Sequence, residues 1–92
     1  MSRFFVEVPH EGTKEACDAA VRAFMQTGSH FMTNADWGCA DGEHNAWFTI
    51  DLEDKHSVME ILPPLLRRDA KIIEVIKFKM EDVPEIKKFH GM

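Results

Sequence analysis

Apolar and polar residues alternate along four short segments of the chain, and this period predicts strands. Residues 3–9 are rich in aromatic and β-branched residues and end at Pro9, so they are predicted to form the first strand. The same pattern predicts three further strands, over 30–37, 45–52 and 71–79. Asp41-Gly42 lies between the second and third of these, where it predicts the turn of a hairpin.

Apolar residues recur at helical spacing between these strands. Residues 14–27 are predicted to form one helix, capped by Thr13, with Cys17 on its apolar stripe. Asp54 is predicted to cap a second, whose apolar positions are Val58, Ile61, Leu62, Leu65 and Leu66. Pro63-Pro64 interrupts it, and an interior proline costs about 3 kcal/mol, so we expect a break and a fresh turn near Pro64.

The resulting order is β-α-β-β-α-β within a single domain of residues 1–80. Right-handed crossovers then give an α+β fold with a four-stranded antiparallel sheet and both helices on one face, the ferredoxin-like arrangement. Residues 81–92 are predicted to form a short helical tail, capped by Asp82 and carrying Val83, Ile86 and Phe89.

The two faces of the predicted sheet are both partly apolar. The helix side is predicted to carry Phe4, Val6, Val8, Phe31, Ala35, Phe48, Ile50 and Leu52. The opposite side carries Phe5, Met32, Trp47 and either Ile72 or Ile73 among polar residues. Burying each such side chain is worth about 1.5–3 kcal/mol, so we expect this side to be covered. A second copy of the chain is the simplest cover, and a folded-back tail helix is the alternative.

These features resemble the dimeric α/β-barrel group of ferredoxin-like proteins over residues 3–79. The break Ile61-Leu62-Pro63-Pro64…Arg67 is similar to one in muconolactone-isomerase-like and small monooxygenase-like members. The stretch Gly28-Ser-His-Phe…Asp-Gly-Glu-His is similar to a small bacterial family. The resemblance implies a homodimer that holds a small organic ligand between its sheets, and the group's chemistry is too varied to assign one reaction.

Charge limits the class of partner. Lys and Arg total 11 against 16 Asp and Glu, a net charge of −5, which argues against nucleic acid and against anionic membrane surfaces as partners. No stretch approaches the roughly 20 apolar residues of a membrane-spanning helix. A cytoplasmic location with both cysteines reduced is therefore expected.

The second sheet face is the first candidate site. Once enclosed, it would combine apolar walls with a few polar groups, as small-molecule sites do. Glu7 and His30 are the candidate proton-transfer residues, and Trp47 offers a flat wall to a planar ligand. The predicted ligand-binding residues are Phe5, Glu7, His30, Asn34, Trp47, Thr49 and Asp51. The alternative is that these polar groups only hydrogen-bond across the dimer interface.

The turn around Cys39 is the second candidate site. The end of the first strand, with His10, is expected at the same sheet edge as the hairpin turn, with Cys39 and His44. Thiolate and imidazole together suit zinc, nickel or another divalent transition metal. No further Cys or His pair completes a finger spacing, so the alternative is a polar turn with an incidental cysteine, and Cys17 is predicted to lie in the core.

Three functions follow from these patterns. The first is a homodimer that binds a planar organic molecule between its sheets, with isomerase-like or monooxygenase-like chemistry and no resident cofactor. The second is a metal-binding or metal-sensing module built on His10, Cys39 and His44. The third is a dimeric assembly domain without enzymatic activity.

Overall fold

The computed structural model describes residues 1–85, and its centre is a pair of long antiparallel strands. β1 spans Ser2–Pro9 and β3 spans Asn45–Leu52. Alternate side chains of both strands are buried on one side, as the sequence predicts: Phe4, Val6, Val8, Ala46, Phe48 and Ile50.

Two shorter strands complete the sheet. β2 covers only Asp36–Trp37 and pairs with β3, while β4 covers Lys71–Val75 and pairs with β1. The strand order is β2-β3-β1-β4, and every pairing is antiparallel. The predicted α+β class with a four-stranded antiparallel sheet is confirmed.

The predicted helix caps are both present. α1 spans Lys14–Gln26, and the Thr13 hydroxyl accepts a hydrogen bond from the amide of Ala16 at 3.0 Å. α3 spans Lys55–Ile61, and the Asp54 carboxylate accepts one from the amide of Ser57 at 2.8 Å. Both helices contribute buried residues to the core beneath the sheet: Ala20 and Phe24 from α1, Val58 from α3.

The two prolines end α3 as predicted. Pro64 opens a single 3-10 turn over Pro64–Leu66. The Arg67 side chain reaches back over the break and donates two hydrogen bonds of 2.9 Å, to the carbonyl oxygens of Glu60 and Leu62. These carbonyls have lost their helical partners, so Arg67 supplies the missing donors.

The predicted strand over 30–37 is wrong for most of its length. A short helix, α2, spans His30–Thr33 and only the last two residues join the sheet. Met32, predicted on the far face, is instead fully buried in the core, while Phe31, predicted on the helix side, is 42% exposed. The amide of Asn34 and its side chain both donate to the carbonyl of His30, and such local hydrogen bonds favour the helical turn over a strand.

The last strand is also shorter than predicted. β4 ends at Val75, and a 3-10 segment covers Met80–Glu85. Asp82 was predicted to cap the tail helix, but it lies inside this 3-10 segment instead of before it. Its carboxylate accepts a hydrogen bond from the amide of Lys79. Ile86 and Phe89 of the predicted tail helix lie outside the described residues. Within 1–85, no helix has the length and apolar character needed to cross a membrane.

The pairing of β1 with β4 decides which isoleucine lies on the far face of the sheet. Phe5 is opposite Ile73, whereas Ile72 packs on the core. We use the term open face for the side that carries Arg3, Phe5, Glu7, Asp36, Trp47, Thr49, Asp51, Lys71, Ile73 and Val75.

Candidate metal centre

Three chain segments meet at one edge of the sheet: the end of β1, the first turn of α1 and the turn between β2 and β3. His10 follows the last residue of β1, and its amide donates a hydrogen bond of 3.0 Å to the carbonyl of His44. This backbone bond fixes the two histidines side by side, although they are far apart in sequence.

The hairpin turn sets the position of Cys39. A 3-10 turn covers Cys39–Asp41 and ends at Gly42, whose φ of 80° is readily adopted only by glycine. The amide of Gly38 donates to the carbonyl of Asn45 at 3.1 Å, which closes the loop at its base. The turn therefore places the Cys39 side chain beside His10, as the sequence-based hypothesis required.

His10, Cys39 and His44 offer one ligand atom each, and these atoms lie within 4.8 Å of one another. The sulfur of Cys39 is 3.3 Å from Nε2 of His10. In a tetrahedral zinc site, with bonds of about 2.3 Å to sulfur and 2.0–2.1 Å to nitrogen, ligand atoms are about 3.6 Å apart. Small side-chain movements would therefore convert the observed arrangement into a coordinating one.

Both imidazoles keep a buried nitrogen without a partner. Nδ1 of His10 and Nδ1 of His44 are buried and accept or donate no hydrogen bond among the described residues. Burial, and secondly the nearby His44, lower the pKa of His10 below its ordinary value of 6.5. At neutral pH the His10 ring is therefore uncharged, the form in which imidazole binds metals.

Gly12 leaves room for the His44 ring. A methyl group at this position would lie 3.1 Å from Cδ2 and 3.2 Å from Nε2 of His44, closer than side chains normally pack. The absence of a side chain at Gly12 thus allows the His44 imidazole to approach the β1–α1 loop closely.

Cys17 also belongs to this edge. It was predicted to lie in the core, but it is half-buried and its thiol donates to the sulfur of Cys39 at 3.4 Å. Burial, and secondly the contact with Cys17, raise the pKa of Cys39 above its ordinary value. The short connection between β1 and α1 could have predicted this position of Cys17. Since α1 begins four residues after His10, its first turn must lie at the same edge.

The open face has a groove of about 280 Å³. Five of the predicted ligand-binding residues line it: His30, Asn34, Trp47, Thr49 and Asp51. Phe5 and Glu7 do not. Glu7 instead accepts a hydrogen bond of 2.9 Å from Nε1 of Trp47 on the neighbouring strand.

Several polar side chains around this groove already have protein partners. Arg3 donates to the carboxylate of Asp51 at 3.2 Å, and the side-chain amide of Asn34 donates to the carbonyl of His30 at 2.8 Å. Asp36 and Thr49 also line the groove, and their side chains have no such partner among the described residues. We use the term His–Cys edge for the sheet edge that carries His10, Cys39 and His44, where two buried nitrogens are unpaired.

Comparison of the chain with models of protein families, with curated proteins and with solved structures gave no match in any of the three. Functional inference therefore rests on the chemistry and geometry of the residues described above.

Proposed function

We propose that this chain is a metal-binding domain in which His10, Cys39 and His44 hold a transition-metal ion. The observation that carries the proposal is the convergence of two imidazoles and a thiol within 4.8 Å, from segments separated in sequence. The distance of 3.3 Å between Nε2 of His10 and the sulfur of Cys39 gives it further support, because two ligand atoms of one zinc ion lie about 3.6 Å apart.

The donor set favours one class of ion. Nitrogen and sulfur ligands suit Zn²⁺, Co²⁺ or Ni²⁺, whereas Mg²⁺ and Ca²⁺ require oxygen. Three protein ligands would leave a fourth position for water or for another side chain. Binding would also connect the hairpin turn to the end of β1. At a free metal concentration of about a hundred times Kd, it would stabilise the fold by about 2.7 kcal/mol.

Cobalt provides the direct test. Reduced protein titrated with Co²⁺ is expected to bind one ion per chain and to develop the charge-transfer absorption of a cobalt–thiolate bond. Elemental analysis of the purified native protein should give a matching ratio of zinc to protein. The double variant Cys39→Ala/His44→Ala should lose both signals.

The matched control is His30→Ala/His56→Ala, which removes two exposed histidines outside the cluster. It should bind cobalt like the unmodified chain. Equal cobalt binding by the two double variants, or no metal in any of the proteins, would refute the proposal.

A second candidate function is a ferredoxin-like half-barrel that dimerises through its open face and holds a planar organic molecule there, with isomerase-like or monooxygenase-like chemistry. The strand order β2-β3-β1-β4 and the groove lined by Trp47, His30 and Asn34 support it. Exposed apolar residues on and beside β4, Ile73 at 42% and Ile76 at 55%, also favour a cover. Native mass spectrometry should then detect a dimer with retained ligand, and a bare monomer would refute this candidate.

A further inference from the structure

The sulfur of Cys39 has two reactive neighbours at nearly equal distance. Nε2 of His10 is 3.3 Å away and the sulfur of Cys17 is 3.4 Å away. Both cysteines are free thiols, and both are partly accessible to solvent. Cys39 is thus shared by two alternative partners, a metal ion held with His10 and a second sulfur.

We propose that Cys17 and Cys39 form a reversible disulfide by exchange with a low-molecular-weight disulfide such as oxidised glutathione, and that this bond closes the metal site. The second half rests on the proposed function, because it requires the His–Cys edge to bind metal. The first half depends only on the thiol pair.

The exchange occurs in two balanced steps. One cysteine thiolate attacks a sulfur of the glutathione disulfide, which forms a mixed disulfide and releases one glutathione thiolate. The second cysteine thiolate then attacks the protein sulfur of that mixed disulfide, which forms the Cys17–Cys39 bond and releases the second glutathione. The two cysteine protons end on the two glutathione thiols, so the protein is oxidised by two electrons and the glutathione disulfide is reduced.

The elements that carry the two sulfurs differ in how firmly they are held. α1 is anchored by buried Ala20 and Phe24, one and two turns beyond Cys17. Cys39 begins a single 3-10 turn whose next residues, Ala40 and Asp41, are exposed. A disulfide is about 2.05 Å long, so the sulfurs must approach by roughly 1.4 Å, and movement of the turn requires no repacking of the core.

Disulfide formation and metal binding oppose each other. The bond consumes the thiolate that Cys39 would give to the metal and leaves only the two imidazoles. Conversely, a bound ion holds that thiolate and slows its reaction with an oxidant. The two equilibria are linked. If oxidation weakens metal binding by some factor, bound metal shifts the thiol–disulfide equilibrium towards the reduced form by the same factor.

The test begins with metal-free protein equilibrated in buffers of increasing ratio of oxidised to reduced glutathione. After alkylation, mass spectrometry should show a chain in which neither cysteine is alkylated or carries glutathione. Its mass should be that of the reduced, unalkylated chain less two hydrogen atoms, as an intramolecular disulfide requires. The oxidised protein should bind Co²⁺ about a hundredfold more weakly than the reduced protein, and dithiothreitol should restore binding. Cys17→Ser cannot form the internal bond, so in the same buffers it should stay reduced or carry one glutathione on Cys39, and should never lose two hydrogen atoms.

Three outcomes separate the two proposals. If glutathione adducts accumulate on single cysteines and no internal disulfide forms, the disulfide inference is wrong, whatever the metal result. If the disulfide forms but oxidised and reduced proteins bind Co²⁺ equally, control of the metal site is wrong. If reduced protein binds no Co²⁺, the proposed metal function fails, while the thiol count still decides whether the disulfide exists. Circular dichroism of each variant verifies that it is folded.

Discussion

The His–Cys edge and the open face both carry polar side chains but differ in how these are paired. On the open face, Arg3 pairs with Asp51 and Glu7 accepts from Trp47, so these three charged groups have protein partners. At the edge, His10 and His44 each retain a buried nitrogen without a partner among the described residues. Part of the open face is thus paired internally, whereas the edge keeps two buried nitrogens unpaired.

This difference indicates where a ligand would change the free energy most. A molecule on the open face must displace existing hydrogen bonds or solvent, so its net gain from each new polar contact is small. An ion at the edge would coordinate two imidazoles and a sulfur in a less polar environment, where the interaction is stronger. Four substitutions test this contrast, in order of decreasing expected effect.

The largest effect is expected from Phe24→Ala, since this buried ring supports the edge through Trp37. The Phe24 ring lies 5.0 Å from Trp37, which in turn lies 5.9 Å from His10. Loss of a buried phenylalanine should lower the free energy of unfolding by about 3–5 kcal/mol in urea denaturation. The neighbouring exposed Met25→Ala should cost less than about 0.5 kcal/mol, and similar costs for both would contradict this account.

Gly12→Ala should act on the edge alone. The added methyl group pushes against the His44 ring, so Co²⁺ affinity in an absorbance titration should fall about tenfold. Glu11→Gln at the preceding exposed position is the matched control and should leave affinity within a factor of about two. An unchanged affinity in Gly12→Ala would mean that His44 is not a ligand in its present orientation.

Glu7→Ala should act on the open face alone. It removes the acceptor of the Trp47 indole and should cost about 1 kcal/mol of stability by thermal or urea unfolding. Glu7→Gln keeps an acceptor and should recover most of that loss. A change in Co²⁺ affinity beyond threefold in either variant would show that the two regions are coupled, contrary to the contrast drawn here.

Asp54 provides a reference outside both regions. Its hydrogen bonds with Ser57 lower the pKa of Asp54 below 3.8, so the carboxylate stabilises the fold above that value. The melting-temperature difference between the unmodified chain and Asp54→Ala should therefore be constant at neutral pH and vanish as the pH falls through the folded-state pKa. A difference that persists at about pH 2 would assign the effect to something other than ionisation.

The sequence predicted the central strands, both caps and the proline break because each has a strong local signal. Thr13, Asp54 and Pro64 act on the residues beside them, and the burial of β1 follows from strict alternation. The segment 30–37 failed because alternation over so few residues also fits a helical turn, and contacts of Met32 with the core decide between the two.

The candidate site was only partly predictable for a related reason. His10, Cys39 and His44 could be brought together from strand order alone, since the end of β1 and the hairpin turn share an edge. Cys17 was assigned to the core from its apolar stripe, which specifies a helix face but not the height along the helix axis. Its contact with Cys39 depends on how far α1 extends past the sheet, a tertiary property that periodicity does not encode.

The two-residue length of β2 has a consequence for association between chains. β2 covers β3 only at Ala46 and Trp47, so the outer backbone groups of the rest of β3 border the groove instead of a neighbouring strand. An uncovered strand edge invites pairing with another chain and, in crowded solutions, aggregation. Asp51 lies on this stretch and Glu53 directly follows it, and the negative charge they place there opposes such pairing between identical copies.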